Sequence, residues 1–198
     1  MREKYRELTR PVINEMKRCF FAIDLETTGS NPSTDDIIEV GIVRFDGCKP
    51  TVKLSFLVNT DRILSDHVIQ MTGLTCEDLL YGIKQEYVYK AITDMMPGIR
   101  SHILCAHRAD FDIGFLEKIS CHVASPFRYV DTVEQAQKAM IDVKNFKLDT
   151  VADFFDIEIA NRHRALDDAE ACGRIMVELL NHFDRKFKFY EELDDDDF

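Results

Sequence analysis

CFFAIDLE, residues 19–26, is the stretch on which the fold turns. It is short, apolar and β-prone, the character of a central strand covered on both faces. Side chains two apart on a strand share a face, so Asp24 and Glu26 point the same way at its far end. Two unpaired acids there repel each other and are poorly solvated. A hard divalent cation with oxygen ligands resolves the conflict, and so does a strand end open to water. The Asp-x-Glu spacing by itself leaves both readings open.

Working outward, IIEVGIVRFD (37–46) and TVKLSFLVN (51–59) read as two further strands. The turn-like Asp46-Gly47-Cys48-Lys49-Pro50 between them implies an antiparallel meander. Helical pieces follow at about 65–71, 75–81 and 84–96, the last stopped by Pro97-Gly98. HILCAH (102–107) is a strand with the helix FDIGFLEKIS behind it, and FRYVDT (127–132) is a last strand running into TVEQAQKAM. KLDTVADFF is helical. The C-terminal helix, from about 165, sets Ala169, Cys172, Met176, Leu179, Leu180 and Phe183 at helical spacing. A meander followed by alternating helix and strand predicts an α/β sandwich around a mixed sheet. Residues 1–18 read as an amphipathic N-terminal segment, helical after Pro11. Residues 19–187 form the main domain, and 188–198 an acidic C-terminal tail expected to be disordered.

The 198 residues suit one domain, and 45% hydrophobic with 31% charged residues supports a core and argues against disorder. No apolar run approaches the roughly 20 residues of a membrane span. MREKYRELTRPVINEMKR mixes both charges and is neither a signal nor a transit peptide. Six cysteines are scattered singly with no metal-ligand spacing, which favours a reduced, cytoplasmic protein. The net charge of −11 speaks against a nucleic-acid partner in sum, but six of the acids sit in the last eight residues, EELDDDDF. Carboxylates that bind divalent cations also reverse charge locally.

Two more segments carry chemistry-bearing side chains. AHRADFDIGFL (106–116) spans a strand-to-helix junction, where sites collect in α/β sheets, and offers Asp110 and Asp112. Both also suit a helix start, as cap or first-turn acid. NRHRALDDA (161–169) places His163 in a basic loop ahead of a helix that begins with Asp167 and Asp168. His163 has the chemistry to take a proton from water near neutral pH. Taken singly, each segment has an ordinary structural reading.

In this order, over residues 19–182, the three segments resemble the DEDDh 3′–5′ exonucleases, which include the proofreading epsilon subunit of bacterial DNA polymerase III. FAIDLETTG matches the first motif, AHRADFDIGFL the second and HRALDDA the third. YVDT, with Asp131 and Thr132, and Thr72-Gly73-Leu74-Thr75 fall where that family has related elements. The resemblance implies a ribonuclease H-like mixed sheet, antiparallel meander plus parallel strands, flanked by helices. It implies that Asp24, Glu26, Asp112 and Asp168 hold two divalent cations, Mg²⁺ or Mn²⁺, and that His163 is the general base. The family's His-to-Asp spacing leaves Asp167 outside this set, and Asp110 falls at a variable position.

Thr27, Thr28, Met71, Thr72, Arg108 and Phe111 are then the expected contacts to the terminal nucleotide. Arg162 and Arg164 flank the site as candidate phosphate partners, with Lys144 and Lys147 nearby. Two positions depart from the family. Arg108 stands where Asn is usual after the motif histidine, and Thr72 where many members have His before the glycine. The implied activity is release of nucleoside 5′-monophosphates from single-stranded or 3′-end nucleic acid, with DNA favoured. The alternatives are an exoribonuclease acting on RNA or short oligoribonucleotides and, more remotely, a non-catalytic nucleic-acid-binding module. Any DNA polymerase or other replication protein is expected to associate in trans, and no membrane partner is expected.

Overall fold

The computed structural model describes residues 3–120 and 126–195. Strand β1 (Glu3–Lys4) and helix α1 (Arg10–Arg18) precede the meander β2 (Cys19–Thr27), β3 (Ile37–Asp46) and β4 (Lys49–Asn59). Helices α2 (Asp66–Thr72) and α3 (Cys76–Leu79), strand β5 (Ile83–Lys84) and helix α4 (Gln85–Met95) follow. Strand β6 (Ile103–Ala106) leads into α5 (Asp110–Ile119), and β7 (Arg128–Asp131) into α6 (Thr132–Lys138). Helices α7 (Leu148–Phe154) and α8 (Ala165–Asp195) complete the order.

The strands make one mixed sheet in the order β1-β7-β6-β2-β3-β4-β5. Pairing is antiparallel through β2, β3 and β4 and parallel elsewhere. The expected α/β sandwich, of ribonuclease H-like form, is the observed fold. Strand β2 is central because its alternate residues fill two cores. Phe21, Ile23 and Leu25 pack with Val88, Ile92, Ile113 and Leu116 on one face. Phe20 and Ala22 pack with Ile13, Met16, Ala169, Cys172 and Met176 on the other. Full burial of side chains this size contributes about 1.5–3 kcal/mol each. By the same alternation Asp24 and Glu26 fall on the α8 side.

Helix α8 lies unusually close to β3. A Cβ on Gly41 would stand 2.1 Å from the carbonyl of Ala165, and one on Gly173 2.1 Å from the Phe45 ring. Only glycine permits this approach, which brings the first turn of α8 down to the end of β2.

Three boundaries differ from those the sequence predicts. The β3–β4 turn is only Gly47-Cys48, both left-handed at φ 58° and 64°, so Lys49 and Pro50 already belong to β4. Pro50 is tolerated there because β5 pairs only with Val58 and Asn59, leaving no outer ladder to break. The N-terminal segment joins the sheet, Glu3 and Lys4 pairing with Arg128 and Tyr129. Helix α8 continues to Asp195, past the expected start of a disordered tail at 188. Its apolar stripe is packed as far as Phe187, and extending a formed helix costs little. Residues 196–198, the tip of that tail, lie outside the described residues. Among the described residues no helix is long and apolar enough to cross a membrane.

Candidate active site

Asp24 lies opposite Gly41, the glycine on which α8 rests, so the close approach sets Asp168 of α8 beside the acids of β2. The loop before α8 turns through His163, whose φ of 59° is uncommon for a residue with a Cβ. The His163 backbone N–H donates to Asp168 Oδ2 at 3.0 Å. Ligand atoms of Glu26, His163 and Asp168 come within 4.8 Å of one another. Asp112, in the first turn of α5, is 2% exposed and accepts from the Leu25 N–H at 3.0 Å. Three chain segments far apart in sequence therefore converge at the end of β2.

The electrostatics of this convergence are uniform. Burial, then the charges of Asp168 and Glu39, push the Asp24 carboxyl well above its ordinary value. Burial, then Asp24, Asp168 and Glu39, push Glu26 up to about 9. Asp112 is raised by burial and by Asp24, and Asp168 by burial against a partial offset from the His163 N–H. Asp168 Oδ1 is buried with no hydrogen-bond partner among the described residues. Carboxylates whose charge is this poorly supported, with one oxygen unpaired, fit the hard oxygen-donor set that divalent cations take. The residues present fit such a group.

An open cleft of about 570 Å³ runs past these residues. Asp24, Glu26, Thr27, Thr28, Met71, Thr72, Phe111, His163 and Asp168 line it, and Asp112 sits behind, outside the lining. Arg108 is exposed, adopts φ 68°, and is not among the residues that line the cleft. The Thr27 hydroxyl donates to the Gly29 carbonyl at 2.6 Å, and the Thr28 hydroxyl accepts from the Asp36 N–H at 3.0 Å. Thr72 caps its own helix turn, donating to the Val68 carbonyl and accepting from the Leu74 N–H. Asp167 accepts from the Asn161 amide and stays out of the cluster.

The flanking arginines are engaged inside the protein. Arg162 pairs with Asp149 at 3.0 Å, and Arg164 forks onto Glu39. Glu39, across the ladder from Glu26, was not singled out from the sequence, although a lone acid in IIEVGIV is itself a signal. His67, which reads as a surface residue in the sequence, lines the cleft from the first turn of α2. His107 also lines it. Its Nε2 faces the Phe146 carbonyl at 2.9 Å and so carries the proton, leaving Nδ1 facing the Thr132 hydroxyl at 2.8 Å. Burial lowers its pKa, in keeping with this neutral, bracing arrangement.

A sequence model of the family RNase_T, described as exonuclease, matches residues 21–176. DNA polymerase III PolC-type of Bacillus cereus is 31% identical over 186 residues, 89% of this chain but 12% of that protein. The chain thus spans about an eighth of the length of this relative. Among solved structures, E. coli exonuclease I in complex with a dT13 oligonucleotide superposes with TM-score 0.72 at 16% identity, over 87% of this chain and 43% of that one. Exonuclease X in complex with 5′ overhanging duplex DNA gives 0.65 at 20%, over 82% and 91%. The three motifs converge on one cleft, and the family match runs through all of them: the chain belongs to the exonuclease family RNase_T, in its DEDDh 3′–5′ branch.

Proposed function

We propose that the protein is a metal-dependent 3′–5′ exonuclease that releases nucleoside 5′-monophosphates from DNA 3′ ends. The observation that carries this reading is the set of four carboxylates at the end of β2, raised in pKa and holding an unpaired buried oxygen at Asp168. Asp24, Glu26, Asp112 and Asp168 would hold two Mg²⁺ or Mn²⁺ ions, which supply Lewis acidity toward the phosphate and acidify a bound water. His163, at the mouth of the cluster, takes the proton from the attacking water. Met71 and Phe111 form the apolar wall on which the terminal base rests, and Thr27 and Thr28 seat the 3′ end through backbone groups and the hydroxyl capacity left to them. Since the PolC-type relative is itself named as a polymerase, a DNA polymerase or other replication protein is the proposed partner.

The test is gel analysis of end-labelled single-stranded DNA and RNA of matched sequence, with Mg²⁺, Mn²⁺ or EDTA. Stepwise shortening of DNA from its 3′ end, dependent on metal, is the expected result. Shortening of RNA alone assigns the substrate otherwise, and metal-independent or absent cleavage overturns the reading.

A further inference from the structure

We infer that Glu39 is a positioning residue that, through Arg164, fixes the backbone carrying His163 and Asp168. The inference deepens the exonuclease reading and rests on it for the roles of those two residues. Glu39 is 1% exposed in an apolar strand, where a carboxylate requires partners for both oxygens. Arg164 Nε donates to Oε1 and Oε2 at 3.1 and 3.2 Å, and Arg164 Nη2 to Oε1 at 2.8 Å. The backbone N–H of Ala165 donates to Oε2 at 3.2 Å.

Ala165 opens α8, and an N–H in the first turn of a helix has no partner within it. One carboxylate therefore ties down both the residue before the helix and the first residue of it. Asp168 ties the next position back, accepting the His163 N–H. Residues 163, 164 and 165 are each anchored to a carboxylate in this way. That anchoring matters because His163 sits at φ 59°, a backbone state kept only where the surroundings over-determine it. A guanidinium fork fixes direction as well as distance, which an exposed lysine would not. Arg164 is thereby assigned inside the protein and not to substrate phosphate.

Glu39→Gln, Arg164→Gln, the double variant and Arg164→Lys test this. Two quantities are measured: kcat and KM on single-stranded DNA with Mn²⁺, and amide hydrogen exchange at His163 and Ala165 in the metal-free protein. Each Gln variant is expected to lose about 10- to 100-fold in kcat with KM nearly unchanged. The double variant should lose no more than the worse single, because both remove the same contact. Arg164→Lys should fall between, and the two amides should exchange about tenfold faster or more in the Gln variants. A raised KM with kcat intact in Arg164→Gln would place Arg164 on DNA and overturn the proposal, as would losses that multiply in the double variant. If Glu39→Gln does not fold, the Arg164 variants carry the test, since that side chain is 45% exposed. If the wild type cleaves nothing, the exonuclease reading fails while the exchange data still decide the positioning claim.

Discussion

Asp110, Asp131 and Glu134 gather much as Glu26, His163 and Asp168 do, with ligand atoms inside 4.8 Å of one another in both groups. Lys4 stands in the middle of the first group, 2.7 Å from Asp110, 2.7 Å from Glu134 and 3.7 Å from Asp131. These hydrogen bonds and charges hold the Lys4 ammonium above its ordinary value against the opposing effect of burial. Among the described residues no lysine or arginine forms an ion pair with Asp24, Glu26, Asp112 or Asp168, and all four carboxyls are raised. Closeness of acids therefore does not by itself separate these two candidate clusters. What separates them is that a lysine is ion-paired into the first, while the charges of Arg162 and Arg164 act on the second without an ion pair to its acids.

The largest expected effect is on activity. Asp24→Asn or Asp168→Asn should lower exonuclease turnover by about 10³-fold or more with the fold retained, while Glu134→Gln leaves turnover near wild type. Equal losses at Glu134 would break the comparison. Next, Mn²⁺ at a hundredfold excess over its Kd should stabilise the wild type by about 2.7 kcal/mol, reversed by EDTA. Thermal melts of Asp24→Asn should show little of that gain.

Lys4→Met should cost about 2 kcal/mol in urea unfolding, discounted because Asp110 is 57% exposed in its side chain. A neutral result would mean the first cluster needs no internal cation. Stability of the metal-free protein should also slope with pH. Folded Glu26 keeps its proton up to about 9, whereas the unfolded chain gives it up near the ordinary value of 4.5. Its contribution is therefore present below that lower value and is lost as pH rises toward the upper one, so stability should fall across this window. Glu26→Gln should flatten the fall. Lys4 adds no slope there, because its titration lies higher still.

What the sequence made legible was local. The parity of β2 put Asp24 and Glu26 on one face, Pro97-Gly98 closed α4, and the regular apolar spacing of α8 announced its buried stripe. What it hid were contacts between residues far apart in the chain. Lys4 meets Asp110 across 106 positions, and Arg164 meets Glu39 across 125. No periodicity encodes such pairs. Arg162 and Arg164 read as candidate phosphate partners because a loop shows its charges but not the acids, Asp149 and Glu39, that they pair with. Gly41 and Gly173 gave no local signal either. Each is a glycine because of what another segment places against it.

The two-residue strand β1 bears on how the protein could be shortened. Residues 21–176 are the span the family matches, and a protein cut to those limits would lose Glu3 and Lys4 from beside β7. A row of backbone donors and acceptors on β7 would then face solvent, the kind of open border along which separate molecules stack into aggregates. The same cut would leave Asp110, Asp131 and Glu134 without their ammonium and remove Leu179 and Leu180 from the interior. The two residues of β1 thus act as a hem on β7, and they lie outside the span that the family model matches.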